Sequence, residues 1–124
     1  GAKKIVELNV SSAFHSQLME PAKNKLKNYI ESVEFNDPQV PVIANSTADF
    51  VKNKDEIMSA LEKQLTNPVR WVESMELMSK NYIELALEVG PGRVLKSLMR
   101  RIDRSIKTYN IQDNASLEKV MKKI

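Results

Sequence analysis

The sequence predicts an α/β fold, a partial parallel sheet flanked by helices. Two observations carry this. Short apolar runs alternate along the chain with longer stretches whose apolar residues recur every three or four positions. Turn-forming residues punctuate the boundaries, and strands that alternate with helices imply a parallel sheet with helices on its faces. The predicted order is β-α-β-α-α-β-α-β-α.

Ile5–Val10 alternates apolar with polar side chains, as a strand does, until Ser11 and Ser12 break the pattern. Leu18, Ala22, Leu26, Tyr29, Ile30 and Val33 share one helix face, and Pro21 falls in the first turn, where proline is tolerated. Asn36-Asp37-Pro38 is a turn. Val40–Ala44 is a candidate buried strand, and Asp49–Asn53 reads as a polar connection. Ile57, Met58, Leu61 and Leu65 mark the second helix, where Asp55 and Glu56 suit the positive end of the helix dipole. Asn67-Pro68 reads as an N-cap followed by proline at the first helical position. Trp71, Val72, Met75 and Met78 mark the third helix, with core packing as the expected role of Trp71 and the methionines. Tyr82–Val89 is a strand leading into Gly90-Pro91-Gly92. Val94, Leu95, Leu98, Met99 and Ile102 mark the fourth helix. Ser105–Ile111 is another strand, and Ser116–Lys123 a short last helix. No repeat or linker interrupts the 124 residues, so the expectation is one α/β unit over 1–124.

Composition narrows the function. The chain has no cysteine and one histidine, which excludes disulfides, a thiol nucleophile, thiolate metal sites and paired-histidine zinc sites, so no metal is expected. A net charge of +3 without clustered basic stripes speaks against nucleic acid. No apolar run approaches the roughly 20 residues that span a bilayer. No apolar segment follows the basic residues near the start, so a signal peptide is not expected and the cytoplasm is the default location.

Ligands of parallel α/β sheets sit at the carboxyl ends of the strands. Three turns fall there: Ser11–Gln17, Asn45–Asp49 and Gly90–Arg93. His15 lies in the first. A neutral imidazole at that place can take a proton from a hydroxyl nucleophile; the alternative is a packed or surface residue. The nucleophile-elbow pattern Gly-x-Ser-x-Gly is absent, since Gly1, Gly90 and Gly92 are the only glycines. Gly90-Pro91-Gly92 is too short for a P-loop. It reads as a tight strand-to-helix turn, with a phosphate at the helix N-terminus as the alternative. Arg93, Lys96, Arg100 and Arg104 fall on one side of the following helix, either a solvated face or a dock for an acidic partner.

Four segments, in order, resemble one family: Ser11-Ser12-Ala13-Phe14-His15-Ser16; Phe35-Asn36-Asp37-Pro38 with Pro41-Val42; Gln64-Leu65-Thr66-Asn67-Pro68-Val69-Arg70-Trp71; and Glu88-Val89-Gly90-Pro91-Gly92-Arg93-Val94-Leu95. They look like the carboxyl-terminal part of malonyl-CoA:acyl carrier protein transacylases, related to the acyltransferase domains of polyketide synthases. The resemblance spans roughly residues 5 to 110. It implies the carboxyl-terminal portion of an α/β-hydrolase-like acyltransferase domain. It also implies a ping-pong transfer of malonyl from coenzyme A to acyl carrier protein through an acyl-serine, with malonyl-CoA as substrate and no tightly bound cofactor. His15 matches the family's base. Gln64 matches the residue whose main-chain carbonyl orients that base, and Phe14 the ring linked to malonyl selectivity. Arg93, Lys96 and Arg100 become candidates for contact with acyl carrier protein.

The family's elbow serine, its oxyanion-hole loop, its carboxylate-binding arginine and its ferredoxin-like subdomain find no match here. The expectation is therefore a fragment of the large subdomain, inactive alone, and prone to self-association along the edge of Ile5–Val10. Fatty acid biosynthesis is the expected pathway. The alternatives are a piece of a polyketide synthase acyltransferase domain or a non-catalytic module that binds acyl carrier protein.

Overall fold

The computed structural model describes every residue except Ala2, Lys4, Leu8, Asn9, Val10 and Ser11. It is α/β, with a small parallel sheet flanked by helices. Its internal contacts divide into two compact units, Gly1–Val69 and Arg70–Ile124. Among the described residues no helix is long and apolar enough to cross a membrane.

In the first unit, a 3-10 turn at Gln17–Met19 leads into α1 (Glu20–Ser32), with proline in its first turn. Strands β1 (Val42–Ala44) and β2 (Asp49–Val51) form an antiparallel hairpin, pairing Val42 with Val51 and Ala44 with Asp49. Helix α2 (Lys54–Gln64) follows and packs on α1. Its N-terminus is closed reciprocally. Asn53 Oδ1 accepts from the Glu56 N–H at 2.9 Å, and the Glu56 carboxylate accepts from the Lys52 N–H. Among the described residues of this unit, Ile30 and Val51 are the buried apolar ones.

Three sequence expectations change here. The connection Asp49–Asn53 contains β2, because three residues are too few to display a period. The segment Val40–Ala44 does contain a strand, but Val40 and Val42 are exposed, and among the described residues β1 pairs with β2 alone. The expected strand at Ile5–Val10 is not seen in its described part: Ile5, Val6 and Glu7 are exposed and irregular, and Leu8–Val10 lie outside the described residues.

The second unit holds the parallel pair. Helix α3 (Trp71–Lys80) precedes β3 (Leu85–Val89), α4 (Val94–Ile102), β4 (Lys107–Ile111) and α5 (Asn114–Met121). β3 and β4 run parallel with Leu85 opposite Lys107 and Val89 opposite Ile111, and α4 is their crossover. Met75, Met99 and Ile106 form the buried core, with Trp71, Met78, Ala86 and Ile102 packed on it. The expected helix start at Asn67-Pro68 moves to Trp71. The Asn67 N–H turns back to Lys63 O at 2.9 Å and completes the last turn of α2 instead.

Two carboxylates secure this unit. Asp103 accepts from the hydroxyls of Ser79 and Ser105 and from the Ser105 N–H, which joins the end of α3 to the approach to β4. Asp113 forms a capping box with Ser116 at the start of α5. The Ser79 hydroxyl above all holds Asp103 below the usual carboxylate range, and the Ser116 side chain does the same for Asp113. A carboxylate whose folded-state value is depressed adds stability above its unfolded value, about 4, and loses it as pH falls through the folded value. The denaturation midpoint of the chain is therefore expected to hold near neutral pH and to fall below about pH 4. Ser79→Ala should flatten part of that fall, as urea titrations at stepped pH would show.

Candidate functional site

The site is built where the turn after residue 12 meets the end of α2. Ser16 donates its hydroxyl to Ala13 O at 2.7 Å, and the Met19 N–H donates to Ser16 O at 3.1 Å, so the chain reverses tightly through 13–19. His15 sits at the crest with φ +64°, the left-handed region that non-glycine residues enter rarely, although histidine is enriched there. Such a conformation persists when neighbours over-determine it. Here they do. The His15 N–H donates to Leu65 O at 3.0 Å, and His15 Nδ1 lies 2.9 Å from Gln64 O.

Both acceptors come from the carboxyl end of α2, where the last carbonyls of a helix lack partners within it. Gln64 is the final residue of α2 and Leu65 its C-cap. One histidine thus satisfies two consecutive helix-end carbonyls, with its main chain and with its ring. A carbonyl can only accept, so the ring proton belongs on Nδ1 and the lone pair on Nε2. His15 is an exposed residue.

Among the described residues no serine hydroxyl bonds to His15: Ser16 is engaged with Ala13 and Ser12 is exposed, while Ser11 lies outside the described residues. Phe14 is 58% exposed, beside His15 in the chain.

The turn Gly90-Pro91-Gly92 joins β3 to α4, with φ +135° at Gly90 and +92° at Gly92, values that favour glycine. The phosphate alternative fails here. The N-terminus of α4 already holds an anion, because the Glu88 carboxylate accepts from the N–H groups of Leu95 at 2.9 Å and Lys96 at 3.1 Å. The basic residues divide. Lys96, Arg100 and Arg104 line one shallow cleft with Lys107, whereas Arg93 lines another with Asn110 and Asp113. The Lys96 ammonium also lies 5.9 Å from the centre of the Tyr109 ring, within cation–π range. Sequence reasoning missed Lys107 in this cleft. Nothing in its local pattern signals that β4 would bring it beside α4.

No protein-family profile matches the chain. Among curated proteins, it is 39% identical over 118 residues to the malonyl CoA-acyl carrier protein transacylase of Bacillus subtilis (strain 168), covering 95% of this chain and 37% of that protein. It is 37% identical over 112 residues to the transacylase of Staphylococcus aureus (strain COL), covering 90% and 36%. Among solved structures, a malonyl-transacylase in complex with a type II polyketide synthase acyl-carrier protein superposes with a TM-score of 0.94 at 39% identity. That match covers 100% of this chain and 40% of that one. The Streptococcus pneumoniae enzyme gives a TM-score of 0.93 at 35% identity, again over 100% and 40%.

The fold is therefore that of an acyltransferase domain in part. Within that class, the chain is homologous to the carboxyl-terminal part of the malonyl CoA-acyl carrier protein transacylases. It spans 37% of the length of the Bacillus subtilis relative.

Proposed function

We propose that this chain supplies the histidine side of a serine–histidine acyltransferase site that moves malonyl from coenzyme A to acyl carrier protein. The observation that carries the reading is the pair of bonds fixing His15 to Gln64 O and Leu65 O at the end of α2. A main-chain carbonyl there does what the aspartate does in a serine–histidine–aspartate triad: it fixes the tautomer and the ring direction. Nε2 then takes the proton of an elbow serine as the serine attacks the malonyl thioester, and returns it to the departing coenzyme A thiolate. In the second half-reaction it takes the proton of the phosphopantetheine thiol, which attacks the acyl-serine, and returns it to the serine oxygen.

Phe14 narrows the space beside the malonyl α-carbon, a steric selection worth about 1–3 kcal/mol against a methyl branch. Lys96 and Arg100, joined by Arg104 and Lys107 in one cleft, and Arg93 in a separate one, give an acidic carrier protein basic groups to approach. On this reading residues 1–124 are a piece of the large acyltransferase subdomain, serving fatty acid biosynthesis in the cytoplasm. The exposed Leu85, Leu87 and Val89 of β3 support either burial against further sheet or self-association.

The chain alone has no elbow serine, so it should not become acylated. Incubated with radiolabelled malonyl-CoA and precipitated, it is expected to retain no label. Stoichiometric, hydroxylamine-sensitive label on the 124-residue chain would overturn the division of labour proposed here.

A further inference from the structure

We infer that Gln64 positions His15 twice, through its main-chain carbonyl and through its side-chain amide presenting Oε1 to the same ring nitrogen. This rests on the reading of His15 as the base and adds a requirement to it, that residue 64 carry an acceptor on its side chain.

His15 Nδ1 has two polar neighbours, Gln64 O at 2.9 Å and the end of the Gln64 side-chain amide at 3.2 Å, where Nε2 is placed. The first contact needs a proton on Nδ1, since a carbonyl has none to give. Once protonated, Nδ1 has no lone pair in the ring plane, and an amide nitrogen facing it would set N–H against N–H. A half-turn of the amide leaves its shape unchanged and exchanges the repulsive end for an acceptor. The Nδ1 proton is then shared between two oxygens of one residue, a three-centre arrangement of the kind common at helix ends.

The second oxygen adds to what the first does. The ring turns about its Cβ–Cγ bond, and one hydrogen bond at Nδ1 restrains that turn. A second oxygen within reach of the same proton restrains it further, and with it the direction of the Nε2 lone pair. Any residue supplies a main-chain carbonyl at position 64. Only one with a side-chain oxygen at this reach supplies both.

The single histidine makes the test direct, because a 15N spectrum of the whole chain contains one imidazole ring. The measurement is the exchange rate of the Nδ1 proton with solvent at neutral pH in the unaltered chain, Gln64→Leu and Gln64→Glu. The unaltered chain is expected to show a protected Nδ1–H signal. Gln64→Glu, which keeps an acceptor, should retain it. Gln64→Leu, which keeps the carbonyl and the bulk but loses the side-chain oxygen, should speed exchange about fivefold, the loss expected for one ordinary hydrogen bond. Equal exchange in Gln64→Leu and the unaltered chain would overturn the inference, as would loss of the signal in a folded Gln64→Glu. Should Gln64→Leu fail to fold, Gln64→Met makes the same comparison. If the unaltered chain carries its ring proton on Nε2, the reading of His15 as base fails instead, and the two failures are thereby told apart.

Discussion

Met99→Ala is expected to destabilise the second unit by about 2–5 kcal/mol, the cost of removing a large buried side chain whose neighbours relax only in part. Met99 is 2% exposed, the most enclosed apolar residue described. It stands on α4 and meets Met75 of α3 and Ile106 at the entry to β4, so it joins the crossover helix to the elements on either side. A loss of that size is a large share of the 5–15 kcal/mol that holds a typical domain together. The only tryptophan, Trp71, packs on the same cluster, so its fluorescence reports this core during urea titration. Val89→Ala is the control. Val89 is 79% exposed, and its truncation should stay within about 0.5 kcal/mol.

His15→Ala is expected to slow acyl transfer about 10²–10⁴-fold in a protein that joins this segment to an elbow serine. Two losses combine. The proton of the attacking hydroxyl has no positioned acceptor, and the proton needed by the leaving thiolate has no positioned donor. Coenzyme A thioester binding draws on other groups, so KM should move much less than kcat. The substitution should also unsettle the turn at 13–19. Alanine enters the left-handed region less readily than histidine, and the ring bond to Gln64 O disappears. The circular dichroism of the variant therefore accompanies the rate measurement.

The sequence was most legible where period and punctuation agree. Helix α4 carries its apolar residues on one face and its cations on the other, and glycines flank Pro91 just before it. The strand-to-helix turn and the parallel pair around it follow from those residues. The hairpin was not legible. β1 and β2 have three residues each, too few for alternation to show, and the turn between them places Ala48, not glycine or asparagine, at positive φ. The start of α3 was misplaced because Asn67-Pro68 has the chemistry of a helix start, while its backbone is used to finish α2.

The site itself was half legible. A histidine near a strand end can be noticed from sequence, but its partners cannot. The acceptors are main-chain carbonyls at Gln64 and Leu65, and every residue has a carbonyl, so no residue type at either position announces the bond. Only the resemblance of the segment around Gln64 to a known family brought the two positions together. The left-handed conformation of His15 and the approach of the Gln64 amide had no signal in the sequence at all.

The central claim is that His15 is the proton-transfer group of a site whose nucleophile lies on another segment. The direct measurement is the pre-steady-state burst of acyl-serine formation from malonyl-CoA in a protein that joins this segment to an elbow serine, with His15 intact and with His15→Ala. A burst is expected with His15 and a rate lower by about 10²–10⁴-fold without it, in a variant that remains folded. A folded His15→Ala variant that acylates at the unaltered rate would contradict it.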